Sequence, residues 1–140
     1  MPYSGEPLSM KKITIILLAL VLGACAYKHQ PIQNFNEAMP APAQSLPNDR
    51  IETLIVESGQ VYGWKFQHSG PGHLIATQAN EKFSAVVDIY FDQKTWRIVY
   101  QSSVGFNEKN GEIHSHYNLW VRNLEHEISS RLTNSGFTEK

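Results

Sequence analysis

Residues Phe83–Phe91 (FSAVVDIYF), followed by Asp92-Gln93-Lys94-Thr95 and then Trp96-Arg97-Ile98-Val99-Tyr100, separate a sheet protein from a helical one. Phe83, Ala85, Val87, Ile89 and Phe91 occupy every second position, and Trp96, Ile98 and Tyr100 repeat the pattern after a four-residue turn. Period two is the signature of a strand with one buried face. A link of four residues is too short for a parallel crossover, so the two strands are expected to be antiparallel neighbours.

Upstream, Trp64-Lys65-Phe66-Gln67-His68 alternates in the same way. Ser69-Gly70-Pro71-Gly72 supplies turn chemistry before a return strand, His73–Gln78, and Ala79-Asn80-Glu81-Lys82 links that strand to the central one. Four strands in a meander result. Before them, Ile51, Leu54, Ile55, Ser58 and Tyr62 fall at helical spacing, with Asp49 and Glu52 in capping-box positions and Gly63 as the terminator. After them, Ser102–Glu112 reads as a polar loop with Asn110-Gly111 at its tip. A second helix is expected from near His116, with Tyr117, Trp120, Val121, Leu124, Ile128 and Leu132 on one face. The fold class is therefore α+β: a helix, a four-stranded antiparallel meander and a C-terminal helix, with both helices packed on one face of the sheet. The inward set is the odd-numbered residues of strand three with Trp64, Phe66, Trp96 and Ile98; Ser84, Val86, Asp88, Tyr90, Arg97, Val99 and Gln101 face outward.

Further upstream the texture changes. Residues 26–47 (AYKHQPIQNFNEAMPAPAQSLP) hold four prolines and no sustained period. Such composition favours an extended spacer, although Ile32 and Phe35 offer apolar side chains for docking. Before the spacer comes Lys11–Cys25 (KKITIILLALVLGAC), two lysines followed by an apolar run that closes on the only cysteine of the chain. The run Ile13–Leu22 is half the roughly twenty residues a membrane-spanning helix needs. A basic region, a short apolar core and small residues before a cut make a signal peptide. Met10, directly before the lysines, is a second candidate start. The resulting division is 1–24 as upstream extension and signal peptide, 25–47 as cysteine and spacer, and 48–137 as the folded domain.

Removing 1–24 takes away Glu6, Lys11 and Lys12. The remainder carries 10 basic and 12 acidic residues, a formal net charge of −2. No basic stripe suggests nucleic acid. Six histidines raise the question of a metal, and His114-x-His116, His68 and His73 are the candidates. No HExxH or comparable spacing occurs, and zinc needs three or four ligands in a tight shell. These histidines are therefore read as solvated loop residues, with His116 near the cap of the last helix and no metal or cofactor expected. Nucleophile elbows, phosphate loops and dinucleotide fingerprints are absent. Asp88 is the one acid in the central apolar strand, and Arg97 on the next strand is its expected cross-strand ion partner.

Leu22-Gly23-Ala24-Cys25 resembles the lipobox of bacterial lipoproteins. The resemblance implies that Cys25 carries a thioether-linked diacylglycerol and, after cleavage, an acylated amino terminus such as palmitate. The non-acidic Ala26 implies, by the same family logic, transfer to the outer membrane, facing the periplasm. Gly63-Trp64, Gly72–Ala76 (GHLIA), Ala85–Ile89 (AVVDI) and Tyr117–Leu124 (YNLWVRNL) resemble a group of small proteobacterial lipoproteins with no settled biochemical role. The plan is also similar at fold level to accessory lipoproteins of the outer-membrane barrel-assembly machine, and fold does not fix function. The expectation is a non-enzymatic, lipid-anchored module that binds an envelope protein or other component through Val86, Tyr90, Val99, Asp88, Arg97 and the 102–116 loop. The alternative is a small-ligand or lipid-binding module with a pocket between sheet and helices, lined by Phe66, Ile89 and Trp120.

Overall fold

The computed structural model describes residues 29–137. Strands β1 (His29–Pro31) and β2 (Phe35–Ala38) come first, then a 3-10 turn (Ala41–Ala43) and helix α1 (Asn48–Gln60). Strands β3 (Lys65–Gly70), β4 (His73–Ala79), β5 (Ser84–Phe91) and β6 (Thr95–Val104) follow, then β7 (Glu112–His114), α2 (Ser115–Thr133) and a final 3-10 turn (Ser135–Phe137). The chain is α+β, with two helices packed against an antiparallel sheet. The sheet has five strands in the order β2-β6-β5-β4-β3, and β1 and β7 form a separate two-stranded ladder. The meander expected from the sequence is present as β3 to β6. The count of four is corrected by β2, which pairs Phe35 with Ile98 and Ala38 with Thr95. β2 thereby covers the edge that β6 would otherwise leave open to unwanted pairing.

Burial along β5 alternates without exception, with Ala85, Val87, Ile89 and Phe91 inside. Leu74 and Ala76 of β4 and Trp96 and Ile98 of β6 continue the buried face. Two connections are closed by side chains. Asp92 accepts from the backbone N–H groups of Lys94 and Thr95, and Asn80 does the same for Lys82 and Phe83. The two amides hold the exposed Asp92 carboxyl below its ordinary range, since they bond the charged form.

Ile51, Leu54, Ile55 and Ser58 of α1 are buried, whereas Tyr62 lies past the helix and stays exposed. Trp64 N–H donates to Gly59 O and Gly63 N–H to Gln60 O, with Gly63 at φ +84°, which is a Schellman terminus. Glycine weakens a helix interior, and the packing of Gly59 gives the reason for it in α1. A Cβ there would fall on the Phe66 ring, so only glycine lets α1 approach β3 this closely. Tyr117, Val121, Leu124, Ile128 and Leu132 of α2 are fully buried, and Trp120 is partly so. Arg131 joins the helices, bonding Glu127 on its own helix and Glu57 on α1.

Two expectations about irregular segments are overturned. Over its described part, 29–47, the segment read as a spacer is folded onto the domain. Met39, Ala43 and Leu46 are buried, and Ile32 and Phe35 pack against the same core. Asn118 of α2 clamps this strap: its Oδ1 accepts from Gln33 N–H at 3.0 Å, and its Nδ2 donates to Pro31 O and Gln30 Oε1. The supposed polar loop 102–112 is also largely structured. β6 runs on to Val104, and Phe106 and Ile113 are fully buried. Phe106 stacks on Phe83 and meets Trp120 edge-on. Asn110-Gly111 is the tip as read, and the structure makes it a two-residue turn, both residues at positive φ between the paired Lys109 and Glu112. Among the described residues no helix is long and apolar enough to cross a membrane.

Candidate functional site

The five domain residues singled out as a binding surface share the outward face of the sheet, because strand residues two apart point the same way. Register arranges that face in rows. His73 faces Tyr90, which faces Arg97; Ile75 faces Asp88, which faces Val99; Thr77 faces Val86, which faces Ser102. Val86, Asp88, Tyr90 and Val99 are half-buried, and Arg97 is exposed.

The ion pair expected between Asp88 and Arg97 does not form. Asp88 Oδ1 lies 2.7 Å from His73 Nε2, with Gln101 Nε2 donating to both carboxylate oxygens at 3.2–3.3 Å. Arg97 instead places its guanidinium 4.4 Å from the centre of the Tyr90 ring. Tyr90 stacks on His73, with centroids 4.3 Å apart and planes 12° from parallel. Register is the reason: Asp88 and Arg97 sit one row apart, and the Tyr90 ring between His73 and Arg97 offers a cation a nearer face. Gln101 reaches Asp88 because the β5–β6 register shifts between Val86 and Val87, leaving Gln101 unpaired in the ladder. The result is one chain of contacts across three strands, Arg97–Tyr90–His73–Asp88–Gln101, in which each polar group answers its neighbour.

The other histidines are also placed differently from the sequence reading. His73 opens β4, as the expected return strand has it, but it is half-buried and lies against Asp88 rather than in solvent. His68 Nδ1 contacts Glu52 Oε1 of α1 at 2.8 Å. His114, rather than His116, caps α2: its Nδ1 accepts from His116 N–H at 3.1 Å. Among the described residues no three His, Cys, Asp or Glu side chains converge as a metal site would require.

Inside the core, Ile89 is fully buried, and Phe66 and Trp120 pack against the same cluster. Three surface depressions are lined elsewhere. One, of about 360 Å³, lies beside Tyr90, Asp92 and Arg97 at the turn end of the outward face. Another, of about 490 Å³, is formed by His29, Asn107, Lys109, Asn110 and Glu112. The third, of about 470 Å³, lies along α1 between Asp49 and Gln60. Two buried polar atoms, Trp64 Nε1 and Tyr117 Oη, have no hydrogen-bond partner among the described residues. Burial pushes the Tyr117 hydroxyl well above the ordinary tyrosine range, so it stays neutral.

Sequence reasoning missed Asn118 and Gln101. Asn118 carried a signal, an amide one residue from the apolar face of α2; Gln101 carried none, since its role depends on a bulge. The lipidation candidate Cys25, the expected leader 1–24 and residues 26–28 lie outside the described residues. Neither protein-family models, curated proteins nor solved structures gave a match to this chain.

Proposed function

We propose that this chain is an envelope lipoprotein, held to the outer membrane by lipid on Cys25, whose periplasmic domain binds an envelope protein. The observation that carries the reading is Lys11–Cys25: a basic, apolar, small-residue leader closing on the single cysteine. Two or more acyl chains on one residue give stable anchoring where one does not, at about 0.8 kcal/mol per buried methylene.

Binding rather than catalysis is favoured by the outward sheet face. His73, Asp88, Gln101, Tyr90 and Arg97 are engaged with one another, and Ile75, Val86 and Val99 leave partly exposed apolar surface between them. The alternative ligand pocket has less support, because Ile89 is fully buried and Phe66 and Trp120 pack against the same core cluster.

Cys25→Ser is expected to abolish fatty-acid labelling and release the protein from membranes. Unchanged labelling rules out Cys25 as the acceptor. Crosslinking in intact envelopes then tests the face: Val86→Asp with Tyr90→Lys should remove a crosslinked partner while the circular dichroism spectrum is retained. Unchanged recovery of that partner refutes the assignment of the face.

A further inference from the structure

The folded strap changes where the domain stands relative to its anchor. His29 is already paired with His114 in the β1–β7 ladder, and only residues 26–28 separate it from Cys25. Four peptide links reach at most about 14 Å between Cα atoms. A headgroup layer is about 5–8 Å thick on each side of the hydrocarbon core. A lipid on Cys25 places that residue at the inner limit of this layer, so about half of the available reach is spent crossing it and His29 is held within about 6–9 Å of the headgroup surface.

From this distance we infer that the β1–β7 end of the domain rests on the phospholipid headgroups of the membrane that holds Cys25; the inference rests on the lipidation reading above. The surface at that end suits the partner. The depression beside His29 presents the Lys109 side chain and the Asn107 and Asn110 amides, which donate to phosphate, and the Glu112 carboxylate, which accepts from an ammonium headgroup. Both signs of charge side by side match a zwitterionic headgroup better than a purely anionic surface.

The same placement orients the rest of the molecule. β6 leads away from this end, since Val104 lies two residues from Phe106, whose carbonyl accepts from His114 N–H. Ten strand residues later in space, roughly 30 Å, lies the Asp92–Thr95 turn, where Gln93 bonds Asn48 at the start of α1. The Arg97 and Tyr90 end of the outward face therefore points into the periplasm, where a partner meets it.

The test uses the full-length lipidated chain in vesicles of phosphatidylethanolamine and phosphatidylglycerol carrying a headgroup-linked quencher. Lipid occupies Cys25, so a single introduced cysteine takes the fluorophore. Lys109→Cys and, separately, Glu108→Cys mark the near end; Gln93→Cys marks the far end. Quenching several-fold stronger at both near positions than at Gln93 is the expected result. A vesicle-bound, fatty-acid-labelled protein with equal quenching at both ends, or stronger quenching at Gln93, overturns the orientation and leaves the anchor intact. A chain without fatty-acid label overturns both.

Discussion

The strap (29–47) and the meander (65–104) use the same kind of contact and announce it very differently. In the meander each strand writes its burial in alternation, and Ala85, Val87, Ile89 and Phe91 are inside as period two requires. In the strap Met39, Ala43 and Leu46 are just as buried, yet no period joins them. Its prolines, which suggested an extended spacer, each stand where a missing N–H does little harm. Pro31 ends β1, Pro40 precedes the 3-10 turn with Pro42 inside its first positions, and Pro47 precedes α1. Proline content reports that a segment is not a regular helix or central strand. It does not report whether the segment is docked.

Mutations can separate these regions by their energetic weight. The largest effect is expected in the meander: Trp96→Ala should destabilise the domain by about 3–5 kcal/mol in urea unfolding, as a deleted core aromatic does. Met39→Ala sharpens the comparison. If the strap belongs to the same cooperative unit, it costs about 2–5 kcal/mol, whereas a loosely laid strap would give a shift below about 0.5 kcal/mol.

Asn118→Ala comes next, at about 1–3 kcal/mol, because Gln33 N–H and Pro31 O lose their partner. Its mark should be regional, with faster amide exchange in β1 and β2 than in β4 and β5; uniform exchange would deny Asn118 a clamping role. The smallest effect is electrostatic. Burial first, and then the carboxylate of Glu37 in β2, raise the Glu125 carboxyl above its ordinary 4.5, with His126 opposing. The folded chain then keeps this proton to higher pH than the unfolded chain, so stability falls as pH rises through the raised value. Glu125→Gln should therefore stabilise near neutral pH, by under about 0.5 kcal/mol, and the gain should vanish below about 4.5. A gain independent of pH would place its origin elsewhere.

The candidate binding face was partly legible. Val86, Asp88, Tyr90, Arg97 and Val99 share a side by parity alone, which needs only the strand assignment. Their partners were not legible, because partner choice depends on inter-strand register and on a bulge. The Asp88–Arg97 pairing failed by one row, and His73 entered through a β4 register that no local pattern encodes. Asn118 is the contrasting case: a polar residue beside an apolar helical face marks itself, although not what it holds.

By itself the sequence determined the four meander strands, the buried faces of both helices, the glycine terminus of α1 and the Asn110-Gly111 turn. Each depends on neighbours within a few residues, where backbone geometry couples position to direction. The tertiary structure alone decided the fifth strand, the β1–β7 ladder, the burial of Phe106 and Ile113, and the docking of the strap. Those outcomes depend on which distant surfaces remain uncovered once the meander and helices have packed, a quantity that no local period records.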